Sequence, residues 1–126
     1  MIKKEFEVLF ELAEADLKVV ERLFNEEEIK EEILLFHLQQ AVEKLLKVLL
    51  SSNKVEYPKI HDIERLIKLC NQNKIVLPEY VEEFVKLTPY AVEFRYGLLI
   101  DETLDIGYYY ERALGFKKFV KELLNL

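Results

Sequence analysis

Apolar side chains recur along this chain at alternating steps of three and four, the repeat of a helix with one face buried. Phe6, Phe10, Ala13, Leu17, Val20 and Phe24 form the first such stripe, with Glu and Lys on the other faces. It predicts a helix over about 3–24. Asn25-Glu26-Glu27-Glu28 makes a short acidic link, and acids near the next helix start suit its dipole. The second pattern, about 28–52, is wider. Leu34, Leu38, Ala41, Leu45 and Val48 form one stripe, and Leu35, Val42, Leu46 and Leu49 broaden it. So broad an arc predicts a central helix touching more than one neighbour. Opposite it run His37, Gln40, Lys44, Lys47 and Ser51, a narrow polar ridge at the same spacing.

Punctuation divides the rest. Proline disfavours helix at the residue before it, so Tyr57-Pro58-Lys59 should be extended or turned. Asp62 is the expected N-cap of a short third helix with Ile63, Leu66, Ile67 and Cys70 inward, stopped by Asn71-Gln72-Asn73. Pro78 suits the first turn of a fourth helix, about 78–96, with Val81, Phe84, Val85, Thr88 and Val92 inward. Pro89 should kink or restart it, with Thr88 as a local cap, and Gly97 should end it. A fifth helix, capped by Asp101 or Thr103, runs to the C-terminus through Ile106, Tyr109, Tyr110, Ala113, Phe116, Val120 and Leu124. The expected fold is all-α: an antiparallel up-and-down four-helix bundle with one additional short helix, in a single domain over 1–126.

Composition agrees. Three glycines and three prolines in 126 residues are too few for a many-stranded fold, and 51% hydrophobic residues supply an ample core. The single cysteine, Cys70, has no internal partner, which suggests a reducing compartment. Met1-Ile2-Lys3-Lys4-Glu5 leads straight into a charged amphipathic pattern, with no signal-peptide core. No apolar run approaches the roughly 18 residues of a membrane span. A cytoplasmic protein with no membrane association is expected. The net charge of -6 argues against broad binding to polyanions. Its distribution qualifies this, because residues 44–74 carry seven basic and three acidic side chains, a local +4 on an otherwise acidic body.

The chain has no glycine-rich phosphate loop, HExxH, cysteine–histidine zinc pattern or nucleophile turn, so neither a metal nor a cofactor is expected. Three local features carry chemistry. The ridge of His37, Gln40, Lys44 and Lys47 combines phosphate-neutralising lysines with groups that bond a base or sugar; it is otherwise an ordinary solvated face. Tyr57-Pro58-Lys59-Ile60-His61-Asp62 projects a ring, an ammonium and an imidazole, suited to stacking plus phosphate contact; the competing reading has Asp62 capping and His61 bonding to backbone. Arg95-Tyr96 places a guanidinium in phase with the buried stripe, where it needs an internal carboxylate or a ligand.

These pieces in this order, His37-Leu38-Gln39-Gln40-Ala41-Val42-Glu43-Lys44-Leu45-Leu46-Lys47, then Tyr57 to Asp62, then Phe94-Arg95-Tyr96, resemble the HEPN family over about residues 8–122. The resemblance implies a helical bundle with an extra short helix, homodimers, nucleotide binding, and pairing with a minimal nucleotidyltransferase in toxin–antitoxin-like modules. Family ribonucleases use an arginine followed after four to six residues by a histidine. Arg95 matches, and it is the one candidate catalytic group, but Ile100, Asp101 and Glu102 stand where that histidine should be. The reading that follows is a nucleotide- or RNA-associated binding module working with a nucleotidyltransferase. Its candidate ligand residues are His37, Gln40, Lys44, Lys47, Tyr57, Lys59, His61, Asp62, Arg95 and Tyr96. The alternatives are a metal-independent ribonuclease and a non-catalytic structural interaction protein.

Overall fold

A computed structural model describes residues 2–91 and 104–126. Among these the regular structure is all helical: α1 (Glu5–Leu23), α2 (Glu31–Ser52), α3 (Ile63–Gln72), a 3-10 helix (Glu79–Ala91) and α4 (Ile106–Leu124). Each begins where a side chain or turn relieves its unpaired first amides. Glu7 accepts from the Lys4 amide ahead of α1. Asp62 accepts from the Arg65 amide and caps α3, as expected.

The last helix starts differently from the sequence expectation. Its cap is Asp105, which accepts from the Tyr108 amide, rather than Asp101 or Thr103. Asp101 and Thr103 lie outside the described residues, as do Val92 and Gly97.

Among the described residues α2 packs against every other helical element, α1 most extensively, whereas α3 packs against α2 and the 3-10 helix. Its burial explains this position: Leu34, Leu35, Leu38, Ala41, Val42, Leu45, Leu46, Val48, Leu49 and Leu50 are all buried. α1 contributes Phe10, Ala13, Leu17 and Val20, and α4 contributes Tyr109, Ala113, Phe116 and Val120. Phe84 meets Phe116 with ring centroids 6.0 Å apart, joining the 3-10 helix to α4.

The fourth segment departs from expectation in kind. An α-helix over 78–96 would turn Val81, Phe84, Val85 and Thr88 inward. The observed buried residues are Val81, Phe84, Leu87 and Tyr90, at steps of three, with Ala91 after them. Three residues per turn is the 3-10 repeat, and it replaces Val85 and Thr88 in the core by Leu87 and Tyr90. Pro89 lies inside this helix without interrupting it. Among the described residues Thr88 is not seen to cap a local turn. Its hydroxyl accepts from the Ile63 amide at 3.4 Å and ties the segment to the start of α3.

Candidate functional site

The polar ridge of α2 divides into two neighbouring clusters, one gathered by Asp16 and one by Glu43. On the α1 side, His37 Nδ1 lies 2.9 Å from one oxygen of Asp16, and Lys44 donates to the other at 2.5 Å. All three side chains are partly buried. Asp16 therefore neutralises Lys44 and holds His37, and this flank presents a balanced ion pair rather than free positive charge.

The other flank is organised by Glu43. This carboxylate is almost fully enclosed, with 3% of its side chain exposed. An unpaired charge so placed would be costly, and the surroundings supply hydrogen bonds to both oxygens. Lys47, one turn on, donates to Oε1 at 2.7 Å. Gln39, one turn back, donates to Oε2 at 2.7 Å. His61, arriving from the bend after α2, places Nδ1 3.1 Å from each oxygen. Gln40 continues the chain by donating to Gln39 Oε1 at 2.7 Å.

The bend joins this cluster through Tyr57. The Lys47 ammonium stands 5.5 Å from the centre of the Tyr57 ring, a cation–π arrangement. The Tyr57 hydroxyl donates to Glu5 Oε1 at 2.6 Å, so the bend is also anchored to the first turn of α1. Burial first, then the bond to Glu5 and the charge of that carboxylate, push the Tyr57 phenol up to about 12. It remains a neutral donor with a ring available for packing.

Thus Lys47, Tyr57 and His61 come together, and Gln40 reaches the same network. His37 and Lys44 turn to the neighbouring flank. Asp62 is occupied as the α3 cap, and Lys59 is exposed. Arg95 and Tyr96 lie outside the described residues. The organising residues, Glu43 and Asp16, escaped the sequence reading. A signal for Glu43 existed: it falls between Gln39 and Lys47 at steps of four, in register with buried Leu35 and Leu46, where a lone carboxylate demands partners.

A cleft of about 430 Å3 runs beside the bend, lined by Pro58, Asp62, Arg65, Lys68 and Leu69 among others. A larger cavity of about 610 Å3, at the α1–α2 turn, is rimmed by Glu26, Glu27, Glu31 and Asp105 and has no basic lining residue among the described residues. Its charge is wrong for a phosphate, whereas the smaller cleft has Arg65 and Lys68 in its lining. No group of three or more histidine, cysteine or acidic side chains is placed to hold a metal among the described residues. No helix among them is long and apolar enough to cross a membrane.

No curated protein and no solved structure matches the chain. The family model for the HEPN domain matches residues 6–125 and so spans the α2 ridge, the bend and α4 in one alignment. With nearly its whole length covered, the chain belongs to the HEPN domain family.

Proposed function

We propose that this chain is a nucleotide- or RNA-associated binding module: one domain, an antiparallel up-and-down four-helix bundle with an extra short helix. It works as a homodimer with a minimal nucleotidyltransferase in a toxin–antitoxin-like system. The observation that carries the reading is that Lys47 and His61 both bond to buried Glu43 while Tyr57 packs against Lys47. An ammonium for phosphate, a ring for a base and an imidazole for a sugar are the groups a nucleotide requires, held by a carboxylate that fixes two of them. Family membership supports the same reading, and the basic segment 44–74 supplies local attraction on an acidic body. Arg95 and Tyr96 belong to the same proposal from the sequence alone, since they lie outside the described residues, and His37 and Lys44, held by Asp16, lie alongside.

Calorimetry with purified nucleotides and short RNAs tests this. Saturable binding is expected, weakened roughly tenfold by Lys47→Ala through loss of a charged contact. Absence of heat up to millimolar ligand, from a protein shown to be folded, would end the proposal. A co-purifying nucleotidyltransferase, with the chain dimeric by light scattering, is the expected result for the partnership.

A further inference from the structure

Helix α1 carries two apolar stripes. The first, Phe10, Ala13, Leu17 and Val20, is buried in the core, and among the described residues α1 packs against α2 and α4. The second, Val8, Leu12, Ala15 and Val19, runs along the outer side. Its steps of four, three and four return to one line of the helix. Val8 is 41% exposed and Leu12 48%, Ala15 is exposed and Val19 half-buried. Single apolar side chains on a surface need no explanation, but these four are in register. With Leu12 and Val19 at a and Val8 and Ala15 at d, the stripe is the narrow seam of a two-helix coiled coil.

We infer that this outer face of α1 is where two copies of the chain associate, their α1 helices antiparallel about a twofold axis between Leu12 and Ala15. Charge chooses the occupant and its direction. The same heptad puts Lys4, Glu11 and Lys18 at g, and Glu5 and Arg22 at the a and d positions that end the seam. An antiparallel second copy, with Leu12 opposite Ala15 and Val8 opposite Val19, sets Glu5 against Arg22 at both ends and Glu11 beside Lys18 along the flank. A parallel copy would set Glu5 on Glu5, Arg22 on Arg22 and Glu11 toward Asp16 at e, all like charges. The pairs these groups make within one chain are weak: Lys3 with Glu11, and Lys18 with Glu21 at 3.4 Å, are all more than half exposed. Glu5 holds the Tyr57 hydroxyl through Oε1, while Oε2 has only the Ser51 hydroxyl at 3.5 Å and is open to an arginine. One seam on a 19-residue helix is a small interface, so the association is reversible. This inference rests on the homodimer proposed above and names its surface.

The test is sedimentation velocity on the full chain over a dilution series. The wild type should pass from monomer to dimer as concentration rises. Leu12→Glu should stay monomeric throughout, with its melting temperature unchanged because the side chain is outside the core. Glu11→Lys and Lys18→Glu should each weaken the dimer roughly three- to tenfold, since the twofold repeats every pair. Combining the two reverses the pair across the interface and should restore the wild-type dissociation constant. Residues 11 and 18 stand about 10 Å apart along one helix, too far to pair within a chain, so recovery reports an interchain contact. A dimer that survives Leu12→Glu, or a double variant no tighter than the single ones, overturns this surface and leaves the homodimer standing. A chain monomeric at every concentration, its α1 face then left to a different partner, overturns both.

Discussion

At residue scale the molecule's chemistry is set by two carboxylates, Asp16 and Glu43, that stand among apolar neighbours and draw lysine and histidine to themselves. Removing Glu43 as Glu43→Ala strands the Lys47 ammonium and Gln39 amide in a nearly closed space. Urea denaturation should show a loss of about 3 to 5 kcal/mol, the usual cost of breaking a buried pair. A second residue-scale effect concerns Cys70, whose thiol is pushed up to about 12 by burial alone. The unfolded thiol, at its ordinary 9.0, ionises first as pH rises. Its contribution is fully present below pH 9 and is withdrawn progressively toward 12. The melting temperature should therefore fall across that window, and less steeply in Cys70→Ala. The identities of the chemistry-bearing side chains Lys44, Lys47, His37 and His61 were legible in the sequence. Their division between two carboxylates was not, because helical periodicity places side chains around an axis but does not reveal which way a flexible lysine leans.

Among elements, the 3-10 helix shows where local pattern and tertiary packing part company. The run from Val81 to Val92 satisfies a 3.6 repeat through Val85 and Thr88 and a 3.0 repeat through Leu87 and Tyr90. Sequence alone prefers the commoner helix, since 3-10 stretches beyond three or four residues are uncommon. Pro78 precedes the segment, Pro89 removes an amide from within it, and the aromatic contact with Phe116 fixes Phe84 inward. The two repeats make opposite demands on mutagenesis. Leu87→Ala should cost about 2 to 5 kcal/mol and Val85→Ala clearly less, measured by the same denaturation midpoint. The four α-helices lacked such a rival repeat, so their stripes and the Asp62 cap were readable directly. The start of α4 was harder to place, because Asp101, Thr103 and Asp105 all have capping side chains and only one of them is used.

Across the whole molecule, an acidic chain carries Lys47, Tyr57 and His61 within a locally basic stretch, residues 44–74. Such a body repels polyanions at a distance and engages phosphate only through Lys47 and its close neighbours. Nucleotide affinity should fall only gently with salt, with a logarithmic slope between about −0.7 and −1.4 if one or two phosphates are met. A much steeper slope in a salt titration would indicate a broad electrostatic footprint instead. α2, meanwhile, lies against all the other helical elements and also bears Gln39, Glu43 and Lys47. A helix enclosed on so many sides releases its backbone protons to deuterium only when the entire chain opens. The amides of residues 38–50 should thus exchange last, at a pace that tracks global stability. The scaffold of the nucleotide site would keep its form until everything around it has come apart.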